Sequence, residues 1–191
     1  MKYKIAIFAS GAGSNAQSLI NYFEHHAHIE IALVVTNNST AGVCEIARRH
    51  SIPLLILDKA QVNEGGFILS ELQKQSIHYI VLAGYLRKIP QALISAFPDK
   101  IINIHPALLP RFGGHGMYGK HVHKAVYDAG EKTSGITIHY VNEEYDKGAI
   151  IFQAECTIDA SDSPEEIECK VRMLEQKHFP VEVEKVILNK K

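Results

Sequence analysis

Tryptophan is missing altogether, and cysteine is scarce: the chain has three, Cys44, Cys156 and Cys169. They are odd in number, far apart and form no CxxC pair. That excludes a disulfide framework and a structural zinc site, and it fits a reducing cytoplasm. No apolar run approaches the roughly 18 residues of a membrane span. The N-terminal stretch, residues 1–8, is too short for a signal peptide and runs straight into a glycine motif. Charge of one sign is also lacking, since Lys+Arg 20 against Asp+Glu 21 leaves a net −1. Neither nucleic acid nor an anionic membrane is therefore advertised as a partner. Internal repeats, low-complexity tracts and interdomain linkers are absent too.

What is there is ordinary globular material, with 46% apolar and 21% charged residues. A length of 191 residues predicts one domain, residues 1–191, at about 150 residues per domain. The 11 histidines are the unusual count, and histidine is the side chain most often recruited for proton work near neutral pH.

Short β-rich runs alternate with helical stretches, the pattern of an α/β fold with an open, mostly parallel twisted sheet. Strands are predicted at residues 3–8, 30–36, 54–57, 78–83 and 100–105. Helices are predicted at 15–26, 41–50, 67–75 and 91–96. After a glycine- and aromatic-rich loop at 111–119, a helix at 120–129 precedes strands at 133–141 and 149–158. The connection between these two strands is too short for a crossover helix, so they should pair antiparallel. Ser163 as cap and Pro164 at the first helical position open a last helix, expected to reach about Lys177 and to be interrupted near Pro180.

The first strand ends in Gly11-Ala12-Gly13-Ser14-Asn15. Two glycines let the backbone approach a ligand, and the following helix start offers free N–H groups and partial positive charge, which together suit a phosphate. Position 16 is Ala, so this is no complete dinucleotide fingerprint, and no P-loop lysine follows. A strand–helix turn needing glycine for tightness, capped by Ser14 or Asn15, is the plainer alternative.

The fifth strand reads Ile101-Ile102-Asn103-Ile104-His105-Pro106. Alternation puts Asn103 and His105 on one face, and Pro106 ends the ladder where open α/β sheets place ligands. Buried polar groups side by side are costly unless paired or used. A carboxylate could complete the set from the acidic turn 142–148, with Asp146 as the member expected to point inward.

The segment Asn103-Ile104-His105-Pro106-Ala107-Leu108-Leu109-Pro110, with Asp146-Lys147-Gly148 further on, resembles the folate-dependent formyltransferases. Ala83-Gly84-Tyr85-Leu86-Arg87 matches the same family, and the glycine loop groups the chain with members acting on glycinamide ribonucleotide. The resemblance implies a single formyltransferase domain with a Rossmann-like N-terminal half and an antiparallel C-terminal pair. It also implies formyl transfer from 10-formyltetrahydrofolate, as cosubstrate, to the amine of 5-phosphoribosylglycinamide in purine biosynthesis, with no metal. Asn103, His105 and Asp146 would be catalytic. Asn103 and a protonated His105 would stabilise the oxyanion, while Asp146 raises the His105 pKa and assists proton transfer. The ribonucleotide would meet Gly11, Ala12, Gly13, Ser14, Asn15 and Glu175. Folate would meet Leu82, Leu86, Arg87 and Ile89, and the backbone of Val141, Asn142, Glu143, Glu144 and Tyr145. The implied enzyme is cytoplasmic, a monomer or homodimer, without nucleic-acid or membrane partners.

Two departures stand out. The stretch 111–123 is longer than the family's, and its four glycines at 113, 114, 116 and 119 predict a mobile flap. The segment 58–75 contains no arginine for the folate glutamate tail. Methionyl-tRNA formyltransferase and formyltetrahydrofolate hydrolase share the core but carry additional domains. A non-enzymatic nucleotide-binding module would leave Asn103, His105 and Asp146 unexplained.

Overall fold

The computed structural model describes residues 2–189. Its strands are β1 (Tyr3–Phe8), β2 (Ile29–Thr36), β3 (Leu54–Ile56), β4 (Tyr79–Leu82), β5 (Ile101–His105), β6 (Thr133–Tyr140) and β7 (Ile150–Thr157). The helices are α1 (Ser14–Phe23), α2 (Gly42–Arg49), α3 (Gly65–Lys74), α4 (Gln91–Ala96), α5 (Lys120–Asp128) and α6 (Pro164–Ile187). The strands follow the order β3-β2-β1-β4-β5-β6-β7 in one sheet. A short 3₁₀ turn at Gln61–Asn63 had no signal in the sequence.

The chain forms two compact units, residues 1–102 with 183–191, and residues 103–182. In the first, β1 is central and pairs in parallel with β2 and β4, while β2 pairs in parallel with β3. Ile5, Ala6, Ile7 and Phe8 are all fully buried, which is why β1 reads as a continuous apolar run rather than an alternating one. Helix α1 covers the sheet through Ala16, Leu19, Ile20 and Phe23, an i, i+3, i+4, i+7 stripe. Because β2 and β4 flank β1 on opposite sides, the strand order reverses there, and the carboxyl end of β1 is a topological switch point. Both the glycine loop and the segment after β4 start at this end. Ser10 ties them: its N–H donates to the Gly84 carbonyl at 3.0 Å, and its Oγ accepts from the Leu86 N–H at 2.9 Å.

The second unit contains the antiparallel pair β6–β7, in register from Thr133↔Thr157 to Ile138↔Phe152 before a bulge. Helix α6 opens with a reciprocal cap: the Ser163 N–H donates to Glu166 Oε2 at 2.6 Å and the Glu166 N–H to Ser163 Oγ at 3.3 Å. Contrary to the expected interruption, α6 runs unbroken through Pro180 for 24 residues. Ile167, Val171, Phe179, Val183 and Ile187 are each fully buried. Steps of four residues carry this stripe about 40° further round the axis each time. The helix thus buries one side early and nearly the opposite side late, and packing around Pro180 outweighs its lost backbone bond.

Candidate active site

The glycine loop is held from within the first unit. Gly13 caps α1 with φ +84° and no side-chain cap, so neither Ser14 nor Asn15 fills the capping role. A Cβ on Gly13 would come within 2.9 Å of Ile46 Cδ1 and 3.0 Å of Val43 Cβ. Glycine is required here twice over, for the left-handed backbone and for close packing on α2. Gly11 differs, since an added Cβ would meet nothing within 4 Å. Asn15 is buried, and its Oδ1 has no hydrogen-bond partner among the described residues. A buried orphan acceptor is costly, and the amide stands at a helix start with free N–H groups.

Of the residues expected at folate, Leu82 and Ile89 are buried in the first unit, whereas Leu86 is half-exposed and Arg87 exposed. Leu82 and Ile89 thus serve the core with their side chains. In the second unit Val141 is half-buried, and Asn142, Glu143, Glu144 and Tyr145 are exposed. Glu175 lies half-buried on α6.

Asn103, His105 and Asp146 meet within the second unit. Strand alternation aims Asn103 and His105 the same way, and the turn after β6 brings Asp146 to them. His105 is 3% exposed, with Nδ1 3.6 Å from Asp146 Oδ2. Its Nε2 stands 2.8 Å from the Phe112 carbonyl. A carbonyl only accepts, so Nε2 carries the proton and Nδ1 is the bare nitrogen of the neutral ring. Asp146 adopts φ +55°, a left-handed backbone that Asp tolerates better than most side chains. Its Oδ2 accepts from the Gly114 N–H at 2.8 Å. Phe112 and Gly114, at the start of the glycine-rich stretch, are therefore tied to both members of the pair.

A fourth residue joins them in the structure. His139, on β6 and 2% exposed, places Nε2 3.0 Å from Asn103 Nδ2 and 3.7 Å from Asp146 Oδ1. The available signal was a second polar pair, Thr137 and His139, two apart in an apolar strand as Asn103 and His105 are.

The electrostatics correct one expectation. Burial pushes the His105 pKa below its ordinary 6.5, and this outweighs the upward pull of Asp146 and of the Phe112 carbonyl. The resting ring is neutral, a base rather than a standing cation. For Asp146, burial pulls upward, but His139, His105 and the Gly114 N–H together hold the carboxyl below the usual range. His123 on α5, 5% exposed with no partner for Nδ1 among the described residues, is likewise lowered, chiefly by burial.

These shifts set a pH dependence of stability. Between the lowered folded values of His105 and His123 and the ordinary 6.5, the unfolded chain binds more protons than the folded one. Stability therefore rises with pH through that window and is lost as pH falls below about 6.5. Thermal unfolding followed from pH 7.5 to 5 should show a falling Tm. The fall should be smaller in His123→Leu, and an equal fall would remove His123 as a source.

The chain belongs to the formyl transferase family, which it matches over residues 3–183. It is 44% identical over 181 residues to the chloroplastic phosphoribosylglycinamide formyltransferase of Arabidopsis thaliana, covering 92% of this chain and 61% of that protein. The chain thus spans about three fifths of the length of this plant relative. To the phosphoribosylglycinamide formyltransferase of Bacillus subtilis (strain 168) it is 38% identical over 189 residues, covering 96% of this chain and 94% of that one. The crystal structure of phosphoribosylglycinamide formyltransferase from Anaplasma phagocytophilum superimposes with a TM-score of 0.91 at 29% identity, over 100% of this chain and 88% of that one.

Proposed function

We propose that this chain transfers the formyl group of 10-formyltetrahydrofolate to the amine of glycinamide ribonucleotide, a step of purine biosynthesis. The observation that carries the reading is the convergence of Asn103, His105 and Asp146 in one buried cluster of a formyl transferase family member. The family match runs through both compact units, which supports reading residues 1–191 as one formyltransferase domain.

The amine lone pair attacks the formyl carbon, and the carbonyl π pair moves to oxygen. An Asn103 N–H stabilises that oxyanion. The ammonium formed by attack passes a proton to the His105–Asp146 pair, where the neutral imidazole is the acceptor and the carboxylate stabilises the resulting cation. On collapse the C–N10 bond breaks, its electrons go to the folate nitrogen, and the same proton is returned there. Formylated ribonucleotide and tetrahydrofolate leave. Among the described residues no cluster of three His, Cys, Asp or Glu is placed to hold a metal, and none is needed by these steps.

Gly11, Ala12, Gly13, Ser14 and Asn15 are assigned to the ribonucleotide phosphate, with Glu175 as a further contact. Main chain from Leu86 to Ile89 and from Val141 to Tyr145 is assigned to folate, with Arg87 beside it. No helix among the described residues is long and apolar enough to cross a membrane. A cytoplasmic location is supported by three free cysteines.

A coupled assay with glycinamide ribonucleotide, charged initiator tRNA and water as acceptors tests the activity, and turnover is expected with the first alone. Gly11→Val tests the phosphate assignment without straining the fold. It should raise the ribonucleotide KM about 10- to 100-fold, the equivalent of a charged hydrogen bond lost, with Tm nearly unchanged. An unchanged KM would return the loop to a purely structural part.

A further inference from the structure

We infer that His139 is a positioning residue for formyl transfer: its Nε2 accepts from Asn103 Nδ2 and thereby sets which end of the Asn103 amide meets the substrate. The inference rests on the activity proposed above.

His139 Nδ1 lies 2.8 Å from the backbone carbonyl of Tyr140. That oxygen can only accept, so Nδ1 carries the proton, and in the neutral ring Nε2 is bare. The atom of Asn103 placed 3.0 Å from Nε2 is the amide nitrogen. Turning the amide over would set Oδ1 against a second acceptor, an arrangement with no hydrogen between them. One of the two Nδ2 hydrogens is thus spent on His139, and the other remains for an oxygen in the site.

The side-chain partner of the Asn103 amide among the described residues is His139. Asn103 is half-buried, and His139 almost wholly so. A free Asn amide has two orientations, of which only one offers a donor to a developing oxyanion. An acceptor fixed in the second unit's core removes the wrong orientation before substrate arrives, and such preorganisation is what makes a donor effective in the transition state. Asp146 Oδ1 stands 3.7 Å from the same Nε2, so Asn103 Nδ2 at 3.0 Å is its nearer partner.

Three measurements on the full chain test this. In the first, ¹⁵N NMR of the His139 ring at pH 7.5 should show a protonated Nδ1 and a bare Nε2. A protonated Nε2 would overturn the assignment whatever the activity. In the second, His139→Leu should lower kcat for formyl transfer about 100-fold, the order expected of a small misplacement, with both KM values within about twofold. His139→Gln, whose Oε1 can replace the lost acceptor, should recover most of that loss. Equal loss in a folded Gln variant would make the role structural only. In the third, His139→Leu added to Asn103→Ala should cost nothing further, because the two act through one hydrogen bond. Additive losses would sink the coupling. A wild type without formyl transfer would defeat the proposed activity instead, and the ring signals would then decide the hydrogen bond by themselves.

Discussion

His105→Ala is expected to lower kcat for formyl transfer by about 100- to 1000-fold, with KM for both substrates changed by no more than a few-fold. The expected split follows from when His105 acts. Its bare Nδ1 faces Asp146 and its Nε2 faces the Phe112 carbonyl, and its charge changes only as the amine loses its proton. Ground-state binding therefore has little to lose. The substitution also leaves the Phe112 carbonyl without the ring that donates to it, so the start of the glycine-rich stretch should loosen. Circular dichroism and folate titration would separate that effect from chemistry. A folded variant within tenfold of wild-type kcat would remove His105 from the reaction.

The same ring makes a pH statement. Since burial holds its pKa below 6.5, the acid limb of kcat/KM belongs below pH 6.5. Asp146→Asn removes the charge that pulls the His105 pKa up, so the limb should move to still lower pH as the maximum rate falls. Asn also tolerates the left-handed backbone at this position. A limb displaced upward would contradict the electrostatic relation between the two residues.

Gly148→Ala is expected to have the second large effect, without touching a reacting atom. A Cβ at Gly148 would collide with the carbonyl oxygen of Tyr140. That carbonyl belongs to the end of β6, whose Tyr140 N–H donates to the Ala149 carbonyl at 2.9 Å, and it also accepts from His139 Nδ1. Moving it would disturb His139, Asn103 behind it and the turn that carries Asp146. We expect a loss of about 1–3 kcal/mol in stability, as in other overpacked sites, and about 100-fold in kcat. Denaturant unfolding with kinetics at a temperature where the variant is fully folded checks both. Unchanged kcat would mean that the turn relaxes without displacing the carboxylate.

Local patterns carried much of the fold. β1, β5 and the β6–β7 pair were legible because alternation, apolar runs and connection length are properties of neighbouring residues. Ser163 and Pro164 announced the start of α6 for the same reason. The end of α6 was not legible, since Pro180 carries a local penalty that burial of Phe179, Val183 and Ile187 overrides. That Gly13, and not Ser14 or Asn15, caps α1 was not legible either, because the contacts that demand glycine at 13 come from Val43 and Ile46, some thirty residues away.

At the site, Asn103 and His105 showed themselves by spacing, and Asp146 by its turn. His139 did not, since its partner Asn103 lies 36 residues earlier in the chain. Nor could the protonation of His105 be read correctly: a neighbouring carboxylate is visible in a motif, but the burial that outweighs it is not. The amino-acid sequence by itself determined the strand and helix framework, the catalytic candidates and the family, because short-range periodicity and motif chemistry suffice for those. Tertiary structure alone decided which nitrogen of His105 and of His139 bears the proton and why Gly13 and Gly148 cannot change, because those depend on distances and desolvation created only when distant segments pack.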